Sequence, residues 1–210
     1  MPGQTAYSGM LDILKIKEGD TVAISAAAGM VGSLAGQIAK IHGARVVGIA
    51  GGPGKCKALL DLGFDATADY KAPDFSAQMK AAAPEGITAY FDNTGGDVTL
   101  EVFKHLKRGA RMAMCGYIAY YGVGMEGPGP DHLPALYRTI MATGLEIKGF
   151  AGLFASRDVL KDIARWADEG KLTFPEAVVE GLEAAPEAFA GVFGANSFVG
   201  KLLVKVSEPT

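Results

Sequence analysis

DTVAISAAAGMVG, residues Asp20 to Gly32, decides the reading of this chain. A short apolar run, Val22 to Ser25, empties into small residues and then Ala27-x-Gly29-x-x-Gly32. An apolar helical pattern follows at once, at Val31, Leu34, Ile38 and Ile41. Strand, tight turn and helix is the context in which a glycine motif points to a dinucleotide. The missing side chains let backbone approach a pyrophosphate, and the free N–H groups and dipole of the new helix face the anion. A tight turn that binds nothing would use the same glycines, so the motif needs support from the rest of the chain.

Outward from this stretch, strand and helix patterns alternate. Strand patterns cover Thr21 to Ser25, Arg45 to Ala50, Ala66 to Tyr70, Ile87 to Asp92, Arg111 to Cys115 and Leu145 to Phe150. Helical spacing covers Met30 to His42, Pro53 to Leu62, Phe75 to Ala83, Val98 to Leu106 and Leu133 to Ala142. Further helical patterns run from Thr5 to Leu14 and from Ser156, a serine N-cap, to Glu169. Strands separated by helices imply parallel pairing with right-handed crossovers. The fold class is therefore α/β, a doubly wound six-stranded parallel sheet of the Rossmann type. Its ligand crevice is expected at the carboxyl ends of the strands, near the switch point.

This nucleotide-binding domain is expected to span residues 1–171, with 172–210 as a C-terminal tail segment. Gly122 to Pro130, rich in glycine and proline, reads as a binding loop. In the tail, strand-like Ala177 to Glu180 and Lys201 to Val206 flank helix-like Pro186 to Phe193. These last strands have no evident partner sheet in the chain.

Composition narrows the partners. The 210 residues are 49% hydrophobic and 20% charged, with a formal charge of -3. No basic footprint favours nucleic acid or an anionic membrane. No apolar run reaches the roughly 18 residues of a membrane span, and MPGQTAYSGM lacks the regions of a signal peptide. Cys56 and Cys115 form no CxxC pair, which fits a reducing, cytoplasmic setting. His42, His105 and His132 lie in different segments without ligand spacing, so no metal site is expected.

The end of the second strand bears on the cofactor. NAD-binding domains usually place an acid there to hold the adenosine ribose. Here the strand ends Ile49-Ala50-Gly51-Gly52, and Lys55 follows. Two glycines make room for a 2′-phosphate and a lysine attracts it, so NADP(H) is favoured over NAD(H). Lys55 and Lys57 as solvated charges is the plain alternative, although lysine is unfavourable at a helix N-terminus. Tyr70 and Lys71 follow the third strand. Asn93-Thr94-Gly95-Gly96 follows the fourth, where glycines allow close approach and the asparagine amide can bond a ribose or nicotinamide group. Cys115-Gly116 ends the fifth; Cys115 reads as a small filler rather than a nucleophile. Tyr117, Tyr120 and Tyr121 then cluster in the next loop, where one hydroxyl could serve a hydride-transfer site.

Together these residues resemble the medium-chain dehydrogenase/reductase superfamily, in particular its zinc-free prostaglandin reductase and alkenal (enone) reductase branch. The phrases are MPGQTAYSGMLDI, AAAGMVGSLAGQIAK, VVGIAGGPGKCKAL, LGFDATADYK, YFDNTGG, MCGYIAYY and GKLLVKV, in the family's order. The resemblance implies Thr5 near the cofactor and Ala28, Gly29, Met30 and Val31 at the pyrophosphate turn. It implies Lys55 and Tyr70 at the adenosine phosphate, with Asn93, Cys115, Gly116 and Ile118 along the cofactor. Tyr121 would stand beside the nicotinamide ribose as the catalytic tyrosine. Phe150, Ala151 and Gly152 would line the carboxamide, and Asn196 would close the C-terminal side. Gly122 replaces the family's usual asparagine, and two extra residues separate Asn196 from Gly200-Lys201.

The implied activity is NADPH-dependent hydride transfer to the carbon–carbon double bond of α,β-unsaturated aldehydes and ketones. A quinone reductase of the same superfamily, or a nucleotide-binding module without catalysis, are the alternatives. Family members carry a GroES-like domain before the MPG phrase, and their closing strand returns to it; the tail strands are expected to belong to such a domain. The resemblance also implies a homodimer through the edge strand Leu145 to Phe150.

Overall fold

A computed structural model describes residues 1–121, 131–150, 157–193 and 198–207 of the chain. The main sheet is built from β1 (Thr21–Ile24), β2 (Arg45–Ala50), β3 (Ala66–Asp69), β4 (Ile87–Asp92), β5 (Leu106–Met114) and β6 (Glu146–Gly149). All neighbours are parallel, in the order β3-β2-β1-β4-β5-β6. The chain steps outward from β1 to β3, then crosses back to β4 and steps out the other way. The switch point thus lies between β1 and β4.

Period-two alternation along the strands splits the core in two. Val22, Ile24, Val46 and Phe91 pack with Leu34 and Ile38 of α2 (Met30–Ile41), Leu59 of α3 (Pro53–Asp61) and Trp166 of α7 (Arg157–Asp168). The intervening residues Ala23, Val47, Ile49, Tyr90 and Met112 pack with Met79 of α4 (Phe75–Ala82) and Val102 of α5 (Gly96–Phe103). Ile140 of α6 (Leu133–Thr143) borders the second core. Burying both faces is what lets these strands read as apolar runs rather than alternations. At the amino ends of the strands, Arg111 donates to Asp20 Oδ1 (2.6 Å) and to the Leu14 carbonyl (2.7 Å), fixing the N-terminal segment to the sheet.

Several sequence expectations are corrected. The helix expected over Thr5 to Leu14 is α1 (Pro2–Tyr7) followed by a π-helical stretch, Ser8–Ile13. Gly9 lies there so close to the Phe91 and Phe150 rings that no Cβ would fit, and Leu14 N–H reaches back to the Gly9 carbonyl (3.0 Å). The helix expected over Val98 to Leu106 ends at Phe103, and β5 begins at Leu106 rather than Arg111, its register against β4 shifting between Ile87 and Ala89.

The tail strands do find a partner within the chain. β7 (Glu176–Glu180) and β8 (Lys201–Lys205) pair in parallel as a separate two-stranded sheet, connected through α8 (Ala185–Phe193). Each satisfies the other's backbone groups along one edge, and the outer edge of each is left free of strand pairing among the described residues. Two contacts seat this unit. The buried Gln37 amide pairs with Thr173 backbone, accepting its N–H (2.7 Å) and donating to its carbonyl (3.0 Å). Gly200 N–H donates to the Ala28 carbonyl (2.7 Å). The expected loop Gly122 to Pro130 lies outside the described residues, as do Ala151, Gly152, Ser156 and Asn196.

Candidate dinucleotide site

The glycine turn is built as its sequence demands. β1 ends at Ile24, Ala26 turns with φ of 46°, and Gly29 starts α2 with no side-chain cap on the helix N-terminus. A Cβ on Gly32 would stand 2.6 Å from the Ala26 carbonyl oxygen and 2.7 Å from Ala27 Cα, so turn and helix touch at backbone distance. A Cβ on Gly36, one turn on, would enter the Phe64 ring. The close packing that a glycine fingerprint exists to permit is therefore present. So is a row of uncapped N–H groups, to which Met30 and Val31 belong.

The second cluster forms across the switch point. Asp92, 1% exposed, ends β4 without a cationic partner among the described residues. Its Oδ1 accepts hydrogen bonds from Ser25 Oγ (2.9 Å), Tyr90 OH (2.9 Å) and the backbone N–H groups of Thr94 (2.9 Å) and Gly95 (3.0 Å). Thr99 Oγ1 donates to Oδ2 (2.8 Å). Ser25 Oγ in turn accepts the Asn93 N–H (2.8 Å), and the Asn93 side-chain amide donates to the Ser25 carbonyl (2.7 Å). One Asn93 amide hydrogen is thereby committed to protein. Burial first, and then the Asp92 charge, hold the Tyr90 phenol well above its ordinary pKa, so it stays a donor.

The loop after β5 is sewn to the loop after β4. Cys115 and Gly116 N–H donate to the Asp92 carbonyl (2.8 and 3.1 Å), Ile118 N–H to Asn93 (3.2 Å) and Ala119 N–H to Thr94 (3.0 Å). A Cβ on Gly116 would sit 3.1 Å from the Asn93 carbonyl oxygen. Tyr120 covers the Gly95-Gly96 turn, whose φ values of 67° and 60° suit glycine. Tyr117 and Tyr121 meet edge to face at 5.2 Å, and Tyr121 is 57% exposed. Burial, then the Asp92 charge, push the Cys115 thiol up to about 11, which agrees with an inert filler.

The third cluster sits at the ends of β2 and β3. Asp69 Oδ1 accepts N–H from Gly52 (2.8 Å) and Lys71 (2.9 Å), tying the two loops together. Lys57 is paired with Asp61 (2.6 Å). Lys55, in contrast, makes no ion pair among the described residues. Its pKa is lowered by burial and by the nearby Lys71 charge. An ammonium group partly withdrawn from water beside a second cation is an arrangement that an anion would relieve. Thr5 and Phe150 are set differently. The Thr5 hydroxyl bonds the Met1 carbonyl (3.3 Å) on α1, and the Phe150 ring packs edge-on to Phe91 at 6.0 Å.

These clusters lie at carboxyl strand ends on both sides of the switch point. A family model described as zinc-binding dehydrogenase matches residues 30–169. The chain belongs to the zinc-binding dehydrogenase family.

Within that family, the chain is 40% identical to the NADPH-dependent curcumin reductase of Escherichia coli (strain K12), covering 99% of this chain and 61% of that protein. It is 40% identical to prostaglandin reductase 1 of Bos taurus, over 98% and 62% respectively. CurA of Vibrio vulnificus, solved in complex with NADPH, matches at 41% identity with a TM-score of 0.92, over all of this chain and 63% of that one. The chain thus spans about 61–63% of the length of these relatives. The resemblance read from the sequence phrases, to medium-chain reductases of the prostaglandin reductase branch, holds.

Sequence reasoning missed Ser25 and Asp92. Both stand at strand ends, where a polar residue reads as the close of an apolar run. A polar residue closing each of the two strands that flank the switch point was the signal available. A separate groove of about 720 Å³, lined by Phe75, Val98, Phe103, Ala135 and Arg138, shares only Tyr70 with the clusters described. Among the described residues no group of three or more His, Cys, Asp or Glu is placed to hold a metal, and no helix is long and apolar enough to cross a membrane.

Proposed function

We propose that residues 1–171 form an NADP(H)-binding domain of a reductase acting on α,β-unsaturated aldehydes and ketones, with 172–210 as its tail segment. The observation that carries this reading is the unpaired, half-buried Lys55 beside Lys71, Tyr70 and the Gly51-Gly52 turn. Support comes from relatives named as an NADPH-dependent curcumin reductase, prostaglandin reductase 1 and a (+)-pulegone reductase of Mentha piperita, 37% identical.

Bound in this crevice, NADPH supplies the hydride for a conjugated carbon–carbon double bond. The chain's own part is binding and orientation. Ala28 to Val31 present backbone to the pyrophosphate, and Lys55 and Tyr70 take the adenosine phosphate. Asn93, Cys115, Gly116 and Ile118 run along the cofactor with Thr5 near it, Phe150, Ala151 and Gly152 are assigned to the carboxamide, and Asn196 to the C-terminal side. The Tyr121 hydroxyl holds its proton towards the ribose and the developing oxyanion. No acid–base pair stands out as dedicated to proton transfer, in keeping with catalysis by positioning. The reaction needs no zinc, the setting is cytoplasmic, and the chain acts as a homodimer.

The test is NADPH oxidation with a short conjugated alkenal and, in parallel, a quinone. It is run on this chain, on a version joined to a GroES-like segment, and on Tyr121→Phe in that longer version. The expected result is NADPH binding by all three, faster alkenal turnover in the longer chain, and a Tyr121→Phe loss in turnover larger than the loss in cofactor affinity. Preference for the quinone would move the assignment to a quinone reductase. Binding without turnover on either substrate in any version would leave a nucleotide-binding module.

A further inference from the structure

The nicotinamide dinucleotide proposed above has to cross the switch point, from the turn after β1 to the loop after β4. These loops belong to strands separated by more than sixty residues of sequence, 67 between Ser25 and Asp92. Nothing in parallel pairing itself fixes one loop against the other, because the ladder between β1 and β4 ends at Ile24 and Phe91. One further backbone bond, Ser25 N–H to the Phe91 carbonyl, continues the pairing; beyond it the ties run through side chains.

We propose that Ser25 and Asp92 form a lock that sets the spacing of the two cofactor-binding loops, with Ser25 as a positioning residue for the dinucleotide. The proposal rests on the functional reading given above. The geometry gives Ser25 three separate ties across the gap. Its hydroxyl donates to Asp92 Oδ1 and accepts Asn93 N–H, and its carbonyl accepts the Asn93 side-chain amide at 2.7 Å. The same Oδ1 takes the N–H groups of Thr94 and Gly95, which shape the turn before α5. Ser25 itself is fully buried and opens the glycine turn: its N–H bonds the Phe91 carbonyl (3.1 Å), and Ala27 N–H bonds Ile49 (3.0 Å).

The two oxygens of Asp92 divide the work. Oδ1 takes every bond from the loops, together with one from Tyr90 OH on β4, whereas Oδ2 accepts from Thr99, which sits inside α5. The Thr99 hydroxyl also meets Tyr90 OH at 3.0 Å, and neither Thr99 nor Tyr90 belongs to the turn after β1. Loss of the Ser25 donor and loss of the Thr99 donor each remove one hydroxyl from the same buried carboxylate. Both cost the protein stability of similar origin. Only the first loosens one loop from the other. A preorganised crevice binds more tightly than one that must be ordered by its ligand.

That asymmetry provides the test. Ser25→Ala and Thr99→Val are compared with the unmutated chain by thermal unfolding and by fluorescence titration with NADPH. Titrations are done at a temperature where all three are folded. The expected result is that both variants unfold at lower temperature, while NADPH affinity falls at least tenfold in Ser25→Ala and stays within twofold in Thr99→Val. Equal weakening in both, or affinity within twofold of the unmutated chain in both, overturns the lock and leaves the network purely structural. Should Ser25→Ala fail to fold, Ser25→Cys, which fills the site with a weaker donor, is expected to weaken NADPH at least threefold; unchanged affinity there overturns the proposal equally. Absence of NADPH binding by the unmutated chain is a different result, and it refutes the functional reading on which the lock rests.

Discussion

Tyr70 lies against the bare backbone of Gly51: a Cβ at Gly51 would stand 2.9 Å from the Tyr70 ring and from its hydroxyl oxygen. The tyrosine is 45% exposed, so one face rests on the loop after β2 while its edge meets solvent. Lys55 enters the same corner from the first turn of α3, and Lys71 follows Tyr70 directly. The corner has two cations and an aromatic ring, and the Asp69 carboxylate between the two loops has one oxygen committed to backbone N–H groups.

Lys55→Ala is therefore expected to weaken NADPH by about 1.5–3 kcal/mol, the worth of a charge-assisted contact, with little effect on NADH. Fluorescence titration of both cofactors measures this. Equal affinity of the unmutated chain for the two would remove the 2′-phosphate assignment.

The glycine turn gives a stability prediction with an internal control. Gly32→Ala forces a methyl against the Ala26 carbonyl and should destabilise by about 1–3 kcal/mol, as overpacking does. Gly54, inside α3, has no atom within 4 Å of an added Cβ. Gly54→Ala should be neutral or stabilise by up to about 1 kcal/mol. Urea unfolding of the pair reads the difference; the same sign for both would mean that the turn adapts.

Glu101 gives a pH dependence. Burial pushes its pKa up, but hydrogen bonds from Lys104, Ser76 and His105 outweigh this and bring it from 4.5 down to about 2. A carboxyl with a depressed native pKa contributes stability that is present above its unfolded value and lost as pH falls through the native one. The stability gap between the unmutated chain and Glu101→Gln should thus be constant above pH 4.5 and close between pH 4.5 and 2. Urea midpoints across that range test it, and a gap that persists to the acid end would contradict the assignment.

The free side of β6 leads to a prediction about assembly. Among the described residues this strand pairs only with β5. Leu133, Tyr137 and Met141 stand exposed at helical spacing on α6, which precedes it. An unpaired edge invites a second copy. Light scattering at micromolar concentration should give the dimer mass, and cross-linking should place Lys148 near its partner copy. A monomer, or a dimer joined elsewhere, would count against it.

Much of this was legible in the sequence. The presence of all six sheet strands and the glycine turn follow from local periodicity and from the rule that sites gather at carboxyl strand ends, whereas grouping Lys55 with Tyr70 came from the family resemblance. The unread parts depend on contacts between distant residues. The π-helical stretch arises where Gly9 is pressed on Phe91 and Phe150, which no local pattern announces. The early start of β5 depends on a register shift against β4. The pairing of β7 with β8 needed the return through α8, and Ser25 with Asp92 needed the strand order itself.

Gly200 carries a consequence for how the molecule is made. Its N–H completes the Ala28 carbonyl, its φ is 80°, and Pro175 leaves no room for a Cβ. This stitch joins the start of α2 to the start of β8, segments far apart in the sequence. Closing so long a loop comes late, after nearer contacts have formed. The strands and helices of the main sheet can assemble first, and the glycine turn waits for β8 before its carbonyl is satisfied. An intermediate in which β8 has not docked would already look like a nucleotide-binding fold in outline while still lacking the finished turn, so maturation of the crevice is tied to the docking of β8.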